Sequence, residues 1–465
     1  MASLESVPDP FEVGDDEIDE TPLGNDQNSK VLTGTELLAE EIVDSSSESP
    51  SQTSDQEPPG PVVKDSPPGL PPKDTEASVE AHSDPRRLPV GTDAKPLISP
   101  SLFLPIPESD PLTHLLAKYI SNPDARPRRD TSGDYTHADL EALVSLNSFR
   151  AIARMACDKL VSSDPTDIGT ILELWSLRLN SLSRLRFYNQ TSAECTALFN
   201  AISSLKPPSI RDRVTGDLMP LELELFRART RYWANDPLGY VDSLMLLQKK
   251  YNNRARRESG SGNDASPWVD KAARVGIVLA SQLVEMKQYT TATRLLEGLV
   301  ASQSSPPQLR TLLALIYLQI GDFGAASVHI EDIHARDDFE SDLVTSTDIF
   351  KAVFLGEWDT AIGLIQQRRN DPRSEDKYIQ KVIDANNLAV AYLSQGRLSE
   401  GISVLEEAFQ GAPSTAVVAE PLLFNLATLY ELQSHTAMER KIGILTQVAQ
   451  WAGDTGLRQS ALKLS

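Results

Sequence analysis

The 465-residue chain has two cysteines, six histidines and no apolar run near the 18 or so residues of a membrane-spanning helix. Cys157 and Cys195 stand 38 residues apart on helical patterns. That excludes a disulfide framework and points to a reducing compartment. Met1 to Pro10 has neither a basic start nor an apolar core, so no secretory leader is expected there. Also missing are a phosphate-cradling GxxxxGK(S/T), a GxGxxG after a strand, an HExxH and cysteine pairs at metal spacing. His329 and His334 are five apart, which turns them about 140° from each other on a helix. The expectation for both is an exposed polar position, not a metal site. No catalytic, cofactor-binding or metal-binding residue is expected, and the chain reads as a non-enzyme.

Charge is one-sided and unevenly placed. The net charge is −22, and the first 100 residues hold 22 acidic against 6 basic side chains. Of the 31 prolines, 18 lie at or before Pro111. Such a composition cannot bury enough apolar surface to offset chain entropy, so residues 1–108 are predicted to be a disordered acidic tail. Within it, Val31 to Ile42 (VLTGTELLAEEI) is the one segment with helical spacing, Leu37, Leu38 and Ile42 against Glu36, Glu40 and Glu41. It reads as a short recognition helix or as a transient one. Ser45 to Ser54 and the Ser-Pro pairs at Ser49, Ser66 and Ser99 are open to kinases. The only basic clusters, Arg126–Arg129 and Arg254–Arg257, sit among Gly, Ser, Asn and Asp and read as solvated loops. Nucleic acid is therefore not an expected partner.

What is present is a repeat. Asn386 to Pro413 reads NNLAVAYLSQGRLSEGISVLEEAFQGAP, with Leu388, Ala389 and Tyr392 ahead of Gly396 and Leu398, Gly401, Leu405 and Ala408 behind it. The same frame fits at Gly321, Gly356 and Lys287, giving steps of 34, 35 and 40 residues against a period of about 34 for the tetratricopeptide (TPR) repeat. A weaker copy centres on Ser434, and the string NLAxxY recurs at Asn387–Tyr392 and Asn425–Tyr430. One such helical hairpin cannot bury its own apolar face, so the prediction is an all-α, TPR-type α-solenoid. Ala314 and Ala326 are small where two helix backbones approach.

The organisation that follows has five parts. After the tail comes a docking helix and linker over 109–138, begun by Asp110 and Pro111 as cap and first residue. Residues 139–251 read as irregular hairpins bending at Asn147–Phe149, Arg186–Tyr188 and Asn235–Pro237; 252–267 as a flexible insertion; and 268–465 as TPR repeats with a C-terminal capping helix. Helix is expected from Asp139 to the end. A curved stack of this kind acts by binding extended segments or other subunits. Asn387 and Asn425 occupy equivalent places on first helices. There an amide can face the groove and hold a peptide backbone, or bond between neighbouring helices.

Three strings carry a resemblance, LWSLRLNSLSRLRFYNQ (Leu174–Gln190), the Asn386–Pro413 string, and AEPLLFNLATLYELQSHTAMERKIGILTQVA (Ala419–Ala449), of which the last is not a generic feature of the repeat. Together they resemble the subunit 12 family of the trafficking protein particle (TRAPP) complex over roughly residues 139–465. Arg186, where a turn glycine would stand, is a departure. The resemblance implies a non-catalytic scaffold of a multisubunit tethering assembly in transport from endoplasmic reticulum to Golgi, with a link to autophagy. Its implied partners are the large subunits of that complex and, indirectly, a Rab-type GTPase, with peripheral membrane association only. The alternative from the residues alone is a co-chaperone-like adaptor that binds short peptides transiently.

Overall fold

The computed structural model describes residues 94–301, 307–336, 340–371, 377–433, 435–455 and 457–464. Among them there are helices and no strands. The first half contains α1 (Pro111–Tyr119), α2 (Leu140–Ser145), α3 (Phe149–Ser162), α4 (Ile168–Arg184), α5 (Tyr188–Ser204), α6 (Pro208–Arg213), α7 (Leu221–Trp233) and α8 (Pro237–Gly260). Next come α9 (Ser266–Glu285), α10 (Tyr289–Val300), α11 (Pro307–Ile320), α12 (Phe323–Ala335), α13 (Ser341–Leu355) and α14 (Trp358–Arg369). The last are α15 (Tyr378–Ser394), α16 (Leu398–Gly411), α17 (Pro413–Ala416), α18 (Glu420–Gln433) and α19 (Ala437–Trp451).

Seven hairpins share one bend. Asn147, Arg186, Asn235, Lys287, Gly321, Gly356 and Gly396 all have positive φ, between 54° and 83°. At each, the next residue's N–H donates back to a carbonyl five positions earlier, as in Asp322 to Tyr317 (2.9 Å), Glu357 to Ala352 (2.9 Å) and Arg397 to Tyr392 (2.8 Å). This closure satisfies carbonyls left open at the end of the first helix and reverses the chain in two residues. Glycine adopts it without cost, and asparagine tolerates it. Arg186 adopts it too, with its guanidinium paired to Glu420 of α18. The bend expected at Ser434 lies outside the described residues.

Small residues set the approach between helices. Ala314 and Ala326 are 0% exposed, and a Cβ added to Gly401 would lie 3.2 Å from the Ala389 carbonyl oxygen. The spacing on α11 predicts one apolar face, yet every residue from Thr311 to Leu318 is buried. The helix is enclosed by α10, α12 and α13, as a helix apolar on all sides must be.

The structure departs from the sequence reading in several places. The described chain begins at Ala94, and the last part of the expected 1–108 tail, Ala94 onward, is a strap packed on the body. Ala94 and Leu97 are fully buried, and the Leu97 carbonyl accepts from Trp175 Nε1 at 3.0 Å. The segment 252–267 is not a flexible insertion, because α8 continues to Gly260. Tyr251 and Ala255 of that helix are buried, and Arg254 is paired with Asp217 (2.8 Å) and Glu258 (2.7 Å). Arg129 does not sit in a solvated loop: its side chain is 4% exposed and paired with Asp110. His329 is half-buried and stacked on Tyr317, with ring centroids 5.7 Å apart, whereas His334 is exposed as expected and bonds Asp348 at 2.8 Å. Helix does not persist to the terminus, since a turn and a short 3₁₀ segment (Gln459–Leu462) follow α19.

The two ends of the body meet. Helix α1, capped by Asp110 through the Thr113 N–H at 3.2 Å, packs on α19, and Tyr119 Oη donates to the Leu464 carbonyl at 3.0 Å. Arg129 donates to the carbonyls of Ala449 (2.9 Å) and Gly453 (2.6 Å). Asp454 accepts from the N–H groups of Phe149 (2.6 Å) and Arg150 (2.7 Å), so a residue near the C-terminus caps α3. Gly453, at φ 55°, lies so close that an added Cβ would sit 2.6 Å from the Asn147 carbonyl oxygen.

Candidate interaction surfaces

Asn387 and Asn425 are placed differently from one another. Asn425 is 4% exposed, and its Nδ2 donates to Asn386 Oδ1 at 2.8 Å, joining α18 to α15. Asn387 is 7% exposed, and its Oδ1 has no hydrogen-bond partner. It lines a hollow of about 10 Å³ with Ile349, Phe350, Val353, Trp358 and Val390, room for about one water. Sequence reasoning treated the two as equivalents, whereas the neighbouring Asn386 takes the partner role for Asn425.

A larger open cleft of about 690 Å³ lies between α14, α15 and α16. Arg369, Tyr378, Lys381, Tyr392 and Glu407 line it. Elsewhere on α15, Asp384, 1% exposed, is held by Arg368 Nε at 2.9 Å. Burial raises the Asp384 carboxyl above the usual carboxylate range, against the pull of Arg368.

The most fully built polar site is one the sequence reading missed. Arg178 and Glu194 are 2% and 0% exposed and form a two-pronged pair, at 2.9 and 2.7 Å, between α4 and α5. Around them the strap is held by its backbone. The Leu104 N–H donates to Glu194 at 3.0 Å, and the Leu104 carbonyl accepts from Arg178 and Gln190, both at 3.1 Å. Phe103 stacks on Trp175 at 4.9 Å. The signal was available: Arg178 falls on the same face as Trp175, Leu179 and Leu182, a charge inside an apolar stripe. Such a charge needs a buried partner.

Among the described residues no group of three or more His, Cys, Asp and Glu side chains could hold a metal. No described helix is long and apolar enough to cross a membrane.

No family model matches the chain. Two proteins do, both named trafficking protein particle complex subunit 12. The Homo sapiens protein is 24% identical over 442 residues, covering 85% of this chain and 58% of that protein. The Mus musculus protein is 24% identical over 417 residues, covering 80% and 50%. The chain is similar to trafficking protein particle complex subunit 12 along most of its length. It spans only half to three-fifths of the length of these proteins. The likeness to subunit 12 also reaches beyond residues 139–465, since 85% of the chain is more than those residues supply.

Proposed function

We propose that the chain is a non-catalytic scaffold subunit of a TRAPP-type tethering complex, acting in transport between endoplasmic reticulum and Golgi and in autophagy. In this reading the helical hairpins hold large subunits of the complex together. A Rab-type GTPase is engaged only through other subunits, and the protein sits in the cytoplasm, peripherally at the intermediate compartment and Golgi. The observation that carries it is the likeness to subunit 12 along most of the chain, on a body of stacked hairpins. Repeats of this type present large surfaces to other polypeptides.

The test is affinity purification of the full chain and of residues 94–465 from cells, with stoichiometry of what co-purifies. The start at Ala94 keeps the strap that the body needs. A fixed set of large tethering subunits in near-equal amounts supports the scaffold. Many substoichiometric clients would favour the transient peptide adaptor, the reading that the unpartnered Asn387 Oδ1 supports. For Asn387 to hold a peptide backbone its hollow, with room for about one water, would have to open, and Asn387→Ala would then release the clients.

A further inference from the structure

The cleft between α14, α15 and α16 occupies a junction that recurs along the stack, so the neighbouring hairpins show what ordinarily stands there. The tenth residue after the bends at Lys287, Gly321 and Gly396 is Glu297, Glu331 and Glu406, but after Gly356 it is Gln366. The thirteenth is Val300, His334 and Phe409, against Arg369 after Gly356. Fifteen residues before Gly321, Gly356 and Ser434 stand Pro306, Ser341 and Ala419, against Lys381 before Gly396. Gln366, Arg369 and Lys381 line the cleft together. Each of the other three junctions carries one acid at these positions and no Lys or Arg; this one carries two cations and no acid.

The exchange of glutamate for glutamine also reverses a hydrogen bond. Tyr317 and Tyr430, on α11 and α18, donate to Glu297 and Glu406. In the cleft Gln366 Nε2 donates to Tyr392 Oη at 2.8 Å, which leaves the tyrosine's own hydrogen for a further acceptor. Arg369 is 3.5 Å from Glu407 on the opposite wall, and the glutamate is 74% exposed. A pair so loose and solvated is readily exchanged for another carboxylate. Val382, Leu388, Val404 and Ala408 make an aliphatic floor. From Tyr378 to Tyr392 the trough follows α15 for about 21 Å, enough for about six extended residues. It opens between the second helices α14 and α16, not where α13 meets α15 around the Asn387 hollow.

We propose that this cleft is a docking site for an acidic segment of a partner polypeptide. The segment seats an aliphatic side chain on the floor and sets its carboxylates against Arg369, Lys381 and the Tyr392 hydroxyl. Cations at a junction that is acidic elsewhere in the stack select the charge. An open trough of this length suits a chain, because a compact solute needs more enclosure. That the partner is another subunit of a tethering complex rests on the scaffold reading; the preference for an acidic segment does not.

The test uses the purified full-length protein and a library of short synthetic peptides, each pairing a leucine or phenylalanine with two glutamates at varied spacing. The same library with lysine for glutamate is the control. Fluorescence anisotropy should select glutamate peptides alone, and added salt should weaken them. Arg369→Glu/Lys381→Glu should weaken the selected peptide at least about tenfold. Gln366→Glu gives the junction the acid of the other three and should weaken binding at least about threefold, while Lys249→Glu on α8 leaves it unchanged. Gln366 is exposed, so its variant keeps the fold, as thermal unfolding will check. No binding of glutamate peptides, equal selection of lysine peptides, or binding indifferent to the cleft variants would overturn the proposal. Occupancy by the chain's own tail would do the same, read as amides of Val31–Ile42 protected from exchange in the parent and released by Arg369→Glu/Lys381→Glu. Absence of tethering subunits from the affinity purification would remove the scaffold reading alone and leave peptide binding as it stands.

Discussion

Replacing Arg178 by methionine removes the cation at the centre of the strap groove. In the parent, Glu194 is fully buried and receives two bonds from Arg178, one from the Leu104 N–H and one from Gln190 Nε2 at 2.9 Å. Without the guanidinium, a buried carboxylate keeps only two donors, and the Ala153 carbonyl, bonded to Arg178 Nη1 at 3.0 Å, loses that donor. Breaking one half of a buried pair costs about 3–5 kcal/mol, whereas a surface pair is worth about 0–1. The exposed Arg211–Asp212 pair, with side chains 41% and 70% accessible, supplies the control. Urea midpoints multiplied by the m-value should place Arg178→Met about 3–5 kcal/mol below the parent and Arg211→Met within about 1. Arg178→Met/Glu194→Leu removes both charges and should recover at least half the loss, because an apolar pair of similar volume substitutes well for a buried ion pair. Amide exchange at Leu104 should accelerate in both variants that lack Arg178. If Arg178→Met cost no more than Arg211→Met, or if the double variant lost the sum of its two single changes, the assignment of this pair as the strap's anchor would be refuted.

Three other outcomes follow from single features. Gly453→Ala meets the Leu146 and Asn147 carbonyls in addition to its left-handed backbone, so it should destabilise more than Gly262→Ala, which has φ 73° and open space around it and should cost about 1 kcal/mol; thermal unfolding compares the two. Ala326→Leu should overpack the α11–α12 contact and cost about 1–3 kcal/mol, while Val328→Leu two residues on, at 65% exposure, should stay within about 0.5, both read from urea midpoints. Burial raises the Asp454 carboxyl from 3.8 to about 6, against the hydrogen bonds from Arg150 and Phe149. The folded chain then binds a proton at Asp454 in that window that the unfolded chain lacks, so the contribution of Asp454 to stability rises as pH falls from about 6 towards 4, by at most about 1.4 kcal/mol per pH unit. Asp454→Asn should flatten the urea midpoint across that window, and an unchanged slope would remove Asp454 as its source.

The bends were legible because each is a local event. A small or turn-prone residue, a fixed phase and flanking apolar faces together predict a reversal, and all seven named positions have the left-handed backbone that the reversal requires. Even Arg186, a poor residue for that conformation, follows the phase of the repeat over its own preference. What the sequence hid was long-range. The strap at Ala94–Ser109 has the same proline-rich composition as the tail before it, and its anchors at Arg178, Gln190 and Glu194 lie roughly 80 residues away. The segment after Tyr251 looks like a loop by its Asn, Ser and Gly content, but Arg254 finds Asp217 and Trp268 across a neighbouring turn and helix. Asn387 and Asn425 share a motif and still differ in role, because Asn386, one position off the motif, meets Asn425 first.

The junction of Asp454 with the start of α3, and of Arg129 with the end of α19, bears on how the molecule answers mechanical load. A spiral of hairpins with loose extremities stretches like a spring, each neighbouring contact yielding a little. Here pulling requires the clasp to be undone first. Cutting away the last dozen amino acids would loosen the opening pair of helices some 300 positions upstream.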